Sequence, residues 1–318
     1  MKTGLTFFLV ALSMASFAQD PFFTNQSYGI SMVNPALAGS TGMLRAETGY
    51  RLQWPKLAGN YQTTNVGADL YTRAGGVGVN YMNDNAGGII KTNRVDINYA
   101  YGFRLWKDTT TEKAKVVIQP GVQISYFSKS VDWSKLTYGD MIDPRRGFVF
   151  GTADIGNTSS RSNIDFSAGL LIMTDRVSIG TAVYHLTEPD EGFIGQSKLP
   201  RRYVLHASGV FGNIDPPDLE AFRIVPSVIC MLQGDFQQLA GFVTTHYRLA
   251  SLGVGYRNQD ALLFSAGYTF SHFNLSYSYD CTISELKGYT GGSHELHLRF
   301  TFFEDKWIDS RTNMRMYS

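Results

Sequence analysis

From residue 43 onward the chain alternates apolar and polar residues in unusually long runs. In MLRAETGYRLQW (43–54), Leu44, Ala46, Thr48, Tyr50, Leu52 and Trp54 fall on one face, and Arg45, Glu47, Gly49, Arg51 and Gln53 on the other. In TNRVDINYAYGFRLW, Val95, Ile97, Tyr99, Tyr101, Phe103 and Leu105 alternate with Arg94, Asp96, Asn98, Ala100, Gly102 and Arg104. SNIDFSAGLLI sets Ile164, Phe166, Ala168 and Leu170 against Asn163, Asp165, Ser167 and Gly169. Ordinary strands run about five or six residues, and several of these pass ten. A soluble sandwich turns its apolar face into a core, whereas a membrane barrel turns it to lipid and keeps the polar face in its lumen. Alternation alone fits both. Strand length and number, with aromatic residues at the strand ends, favour the barrel.

The N-terminus points the same way. MKTGLTFFLVALSMASFAQD has a basic start at Lys2, an apolar run from Leu5 to Phe17, and small residues around Ala18. It reads as a secretory signal peptide over residues 1–18, with Gln19 first in the mature chain. No later segment has 18 consecutive apolar residues, which excludes ordinary transmembrane helices. A net charge of +1 without basic clusters gives no reason to expect nucleic acid. Cys230 and Cys281 lie far apart in alternating runs and read as semi-buried side chains.

Fourteen strands are expected, at about 43–54, 60–72, 74–82, 90–107, 115–127, 162–171, 175–186, 199–212, 221–233, 237–247, 249–256, 260–270, 272–281 and 292–303. An even number suits a bacterial barrel with both termini in the periplasm. The long connections 128–161, 187–198 and 282–291 all follow odd-numbered strands, which places them together outside the cell. Residues 19–42 lack long alternation and form an N-terminal periplasmic or lumenal segment. Residues 304–318 form a polar periplasmic tail.

The stretch NLSYSYDCTISELKGYTGGSHELHLRF (274–300) holds the densest titratable cluster. HELH resembles the start of a zinc-protease motif, but that motif needs a second His four residues on, on one helix face. Leu298 stands there, and in a strand His294 and His297 point to opposite faces. No metal site, cofactor site or catalytic residue is expected. Asp280 and Glu295 face the lumen and hold the ends of the last two strands through hydrogen bonds or arginine pairing. Ser284 and Ser293 suit the turn between them. His185, His206, His246 and His272 stand singly. The loop 128–161 carries Trp133, Tyr138, Arg145, Arg146, Phe148 and Phe150, residue types enriched at interfaces, and is a candidate partner-binding surface.

DPFFTNQSYGISMVNPALAGS near the mature start, YRLQWP at 50–55 and LSYSYDCTISELKGYTGGSHELHLRF at the end together resemble the PorP/SprF family of type IX secretion system membrane proteins of the Bacteroidetes. The resemblance spans essentially the whole mature chain, and Cys281 departs from it. It gives Asn34, Pro35, Gly39, Arg51, Trp54, Asp280, Ser284, Gly292, Ser293, His294 and Glu295 structural roles. It implies a non-enzymatic outer-membrane barrel that assists secretion or surface attachment of adhesin-like cargo through a C-terminal sorting domain, in some members linked to gliding. Implied partners are that cargo, other type IX secretion components and outer-membrane lipid. The alternative is an outer-membrane channel or transporter for small solutes. Inward Arg45, Glu47, Arg51, Arg94, Asp96 and Arg104 are placed to pair across the lumen, with the N-terminal segment as a plug at its periplasmic mouth; an open pore satisfies the same charges with water, so the residues leave open whether the lumen is plugged or open.

Overall fold

The computed structural model describes residues 20–25, 28–57, 59–107, 114–143, 145–152, 158–212 and 222–302. The expected signal peptide, 1–18, and the polar tail, 304–318, lie outside the described residues.

Fourteen antiparallel strands close into a barrel. They are β1 (Leu44–Gln53), β2 (Tyr61–Thr72), β3 (Gly75–Ala86), β4 (Ile90–Ala100, continued as Phe103–Lys107), β5 (Ala114–Val131), β6 (Ser160–Met173) and β7 (Val177–Tyr184). The second half comprises β8 (Arg202–Gly209, continued as Phe211–Gly212), β9 (Phe222–Gln233), β10 (Phe236–Tyr247), β11 (Ala250–Arg257), β12 (Ala261–Phe270), β13 (Phe273–Thr282) and β14 (Ser293–Phe302). Each pairs with its sequence neighbour, and β1 pairs with β14 from Leu44↔Phe302 to Gln53↔Ser293. Closure leaves no open sheet edge, the condition for β-structure in lipid. The expected count and faces hold. The boundaries differ most at β3, β5 and β6, which run further toward the connections than alternation suggests, because small and polar residues continue the ladder there.

Outward side chains make a lipid-facing band. Ile97 is 61% exposed and Leu205 56% exposed, so no protein core covers them. Exposed Tyr61, Tyr203 and Tyr256 ring one end; Tyr99, Tyr101, Phe103, Tyr268, Phe270 and Phe302 ring the other. Amphipathic rings at both borders are what the two water–lipid interfaces favour. The connections after odd-numbered strands gather at one end, here the loop end. The tight turns, the start of β1 and the end of β14 gather at the other, the turn end.

Residues 20–25 and 28–43 are inside the barrel. This strap starts at the loop end, where Asp20 meets Arg202 and Gln233 at the tips of β8 and β9. It descends to one α-helical turn (Ile30–Val33) and one 3-10 turn (Pro35–Leu37), then reaches Leu44 at the turn end. The expectation of a segment at the periplasmic mouth is therefore too short: the strap runs nearly the height of the lumen. Its apolar side chains complete the interior, with Val33, Ala36 and Leu37 packed among Leu171, Met173, Tyr184, Val204, Ile229 and Met231.

Candidate functional site: the filled lumen and the loop end

The inward charges pair along the wall. Arg45 meets Asp69 at 2.7 Å on the next strand, Arg299 meets Glu47 at 3.3 Å, and Arg94 meets Asp96 two residues on at 3.2 Å. The expectation that these charges pair across the lumen is corrected by geometry. Cross-strand neighbours sit about 5 Å apart, while the lumen between opposite walls is taken up by the strap. Arg104 sits near the turn end, half-buried.

The opening cluster of the C-terminal block forms the centre of a buried network. Arg51 pairs with Glu295 and reaches Asp280 Oδ2 at 3.1 Å. Arg257 reaches the same Asp280 oxygen at 2.6 Å and Asp260 at 2.6 Å. Glu295 also accepts the Thr24 amide at 2.8 Å and lies 3.3 Å from His297 Nε2, while Thr24 Oγ1 donates to Asp280 at 2.8 Å. The expected arginine pairing of Asp280 and Glu295 is present, through Arg51 and Arg257; Arg299 serves Glu47. Two carboxylates and two guanidiniums thus satisfy one another, with the Thr24 hydroxyl held between Arg51 and Asp280. Among the described residues, no cluster of His, Cys, Asp or Glu could hold a metal ion.

His294 faces outward and bonds the Tyr277 hydroxyl at 2.7 Å, while His297 faces the lumen between Phe23 and Tyr28. At the β13–β14 connection, Gly292 takes a φ of +76°, and a Cβ there would crowd the Tyr279 ring. The hydroxyl that bonds the loop backbone is Thr290, to Gly292 N at 3.3 Å, which the sequence reading passed over for Ser284 and Ser293. Ser284 contributes its carbonyl to Lys287 N, and Ser293 is buried at the tip of β14. Trp54 leaves β1 with its amide on Gly292 O and its ring edge-on to Tyr61.

The strap's middle is fixed by Asn34, fully buried. Its side-chain oxygen accepts Ala36 N at 2.9 Å; its amide nitrogen reaches Leu170 O at 3.1 Å, Thr181 O at 3.2 Å and His206 Nε2 at 3.0 Å. Pro35 starts the 3-10 turn, and Gly39 donates to Asp69 at 2.7 Å. The wall beneath has no side chains. A Cβ at Gly76 would overlap the Ala38 carbonyl, one at Gly121 the Ala36 backbone, and one at Gly169 the Asn34 side chain. These strand glycines make a bed for the strap. The space left under Pro35 and Ala38 is about 20 Å3, room for roughly one water.

At the loop end, the N-terminal side of the strap meets the β7–β8 connection. His185 places Nε2 2.6 Å from Asp20 and Nδ1 2.8 Å from Asp165. Burial opposes its charge, but the two carboxylates outweigh burial and hold the imidazole up at about 9. Lys129 pairs with Glu191 at 2.7 Å and Trp133 packs edge-on against Phe193, tying the two longest connections together. Trp133 also donates to Thr158 O at 3.1 Å. Of the six expected partner-binding residues, Trp133 thus holds the loop together and Tyr138 is half-buried. Arg145 and Arg146, their amides donated to Asp143, lie in the turn between Ile142–Asp143 and Gly147–Phe148; Phe148 and, just beyond the pair, Phe150 are 61% and 54% exposed.

Residues 15–300 match the sequence model of a family described as type IX secretion system membrane protein PorP/SprF. The chain belongs to this family. PorP/SprF membership and the closed barrel place it in the outer membrane, in a role related to type IX secretion, and point to a non-enzymatic membrane protein. No curated protein matches the chain. Solved barrels share its architecture at low identity. The CymD monoaromatic hydrocarbon channel is 13% identical with a TM-score of 0.47, over 89% of this chain and 94% of that one. Omp33 of Acinetobacter baumannii is 7% identical with a TM-score of 0.44, over 82% and 98%. The Pseudomonas putida toluene transporter TodX is 9% identical with a TM-score of 0.42, over 86% and 94%.

Proposed function

We propose that this PorP/SprF protein is a non-conducting outer-membrane scaffold that assists secretion or surface attachment of an adhesin-like cargo through its C-terminal sorting domain. An N-terminal leader exports it, the loop end faces outside, and the turn end, with the C-terminal tail, faces the periplasm. The observation that carries this reading is the filled lumen. A solute channel leaves its inward charges to water, whereas here Arg51, Arg257, Asp280 and Glu295 are paired with one another or with the strap. The rigid wall then serves to present loops, and the exposed Phe148 and Phe150 beside Arg145 and Arg146 are the docking surface.

Two measurements test it. Purified protein in planar bilayers is expected to be silent, and a steady conductance favours the channel alternative. Phe148→Ala with Phe150→Ala is expected to leave heat-modifiable gel mobility unchanged while the cargo disappears from the cell surface. Undiminished display by the folded double variant rejects this loop as the docking site.

A further inference from the structure

The strap is held unevenly. Residues 34–39 are locked: their backbone lies on wall glycines that admit no Cβ, and they are tethered to β1. Residues 20–25 are the far end, without helix or strand, and they start at the loop end. Each of these residues but Pro21 has a defined receptor on the wall. The Asp20 carboxylate lies 2.6 Å from His185 Nε2 and 3.0 Å from an Arg202 guanidinium nitrogen. Phe22 packs on the apolar cluster, with Arg257 5.7 Å from its ring centroid. Phe23 is fully buried, edge-on to His297 at 4.7 Å and beside Met32 and Met82. The Thr24 amide and hydroxyl go to Glu295 and Asp280.

The receptor's charged groups also hold one another. Arg51 with Glu295 and Asp280, Arg257 with Asp260 and Asp280, and His185 with Asp165 are wall-to-wall contacts in which residues 20–25 take no part. A site that stays organised when vacant does not lose affinity to reordering. A segment tethered in cis holds such a site at an effective concentration on the order of millimolar. A partner that also grips the outer loops gains the same advantage and can compete.

We infer that residues 20–25 occupy a peptide-binding site in cis, and that the loop-end lumen receives an extended segment of a partner protein carrying a carboxylate followed by aromatic side chains. The strap's locked half stays in place during exchange, so the barrel remains sealed. The inference rests on the role proposed above only in naming a protein as the source of the segment.

The probe is the synthetic hexapeptide Asp-Pro-Phe-Phe-Thr-Asn with a fluorophore at its C-terminal end, titrated by anisotropy against the detergent-solubilised barrel. A barrel lacking residues 20–25 is expected to bind it, and the full chain to bind it about a hundredfold more weakly. The peptide with Asn in place of Asp, or His185→Ala in the shortened barrel, is expected to bind roughly ten- to hundredfold more weakly, the usual worth of a charge-assisted bond. If the shortened barrel does not fold, full-length Asp20→Arg, which sets a cation against Arg202 and His185, carries the same titration. No binding to a folded shortened or Asp20→Arg barrel, or equal binding of the Asp and Asn peptides, overturns the inference. The titration uses no cargo, so its failure leaves the secretion role standing, and loss of that role leaves the titration intact.

Discussion

Glu295 is the residue whose removal discriminates most sharply between a structural network and a reactive site. It is 1% exposed and takes donors on both oxygens: Thr24 N and Arg51 on one, Asn25 N at 3.4 Å and His297 Nε2 on the other. In Glu295→Gln the amide oxygen keeps Thr24 and Arg51, while the new NH2 faces Asn25 N–H and requires the other His297 tautomer. One backbone bond and one charge are lost, a cost of about 1–2 kcal/mol. In Glu295→Leu every acceptor at this position goes, and Arg51 keeps one carboxylate, Asp280 at 3.1 Å, beside the neutral Thr24 Oγ1 at 2.7 Å and Gln53 Oε1 at 3.4 Å. Breaking a buried pair from one side costs about 3–5 kcal/mol. Adding Arg51→Met to Glu295→Leu removes the stranded cation, so the double variant is expected to be more stable than the sum of the single losses implies. Denaturant unfolding in detergent, followed by heat-modifiable gel mobility, reads the wild type, both Glu295 variants, Arg51→Met alone and the double variant. Equal losses for Gln and Leu, or an additive double variant, refute the network. A Gln protein that folds normally yet loses cargo display shows chemistry at Glu295.

Other expectations follow from the wall. Gly169→Val and Gly121→Val drive a methyl into Asn34 or the Ala36 backbone, so a folded variant is expected to eject the strap and conduct in planar bilayers. Gly241→Val, with open space around it, is expected to stay silent. Ile97→Arg sets a charge in lipid at about 2–4 kcal/mol near the midplane and is expected to reduce barrel assembly; Asn98→Arg, on the lumen face, is expected to be milder, and equal tolerance refutes the facing. His185, raised from 6.5 to about 9 in the folded chain, contributes stability fully present below about pH 6.5 and lost as pH rises through 9. Unfolding midpoints are expected to fall across that window, and His185→Gln is expected to flatten the profile.

The barrel was legible because period two is a local signal. Each of Val95 to Leu105 declares its face by its neighbours, and an error of one residue would invert the whole strand. Loop parity then ordered the ends, since the expected long connections 128–161, 187–198 and 282–291 all follow odd strands. The strap was not legible, because residues 19–42 carry no period to read. Its partners were equally silent. Gly76, Gly121 and Gly169 look like ordinary strand glycines until Ala38, Ala36 and Asn34 are seen against them. The inward arginines announced that partners exist without naming them. Arg51 finds Glu295 across 244 positions and Thr24 across 27, distances at which spacing carries no information. Thr290 was missed for a simpler reason: one hydroxyl in a loop of several is chosen by geometry alone.

The position of the strap also bears on how the barrel closes. Its residues Thr24, Tyr28 and Gly29 touch the three strands at the seam. Thr24 bonds Asp280 of β13 and Glu295 of β14; Tyr28 bonds Asn274 of β13, with the Arg299 guanidinium 4.3 Å from its ring centroid; Gly29 donates to Glu47 of β1 at 2.9 Å. The β1–β14 ladder joins residues some 250 positions apart, the most non-local pairing in the chain, and such closure is entropically the costliest to start. A short segment covalently joined to β1 that carries binding groups for β13 and β14 lowers that cost, because it can capture the last hairpin before the ladder hydrogen bonds form. A strap already in place when the seam shuts makes these contacts at once, and the charges of the C-terminal block, Asp280 and Glu295, stand where strap and seam meet.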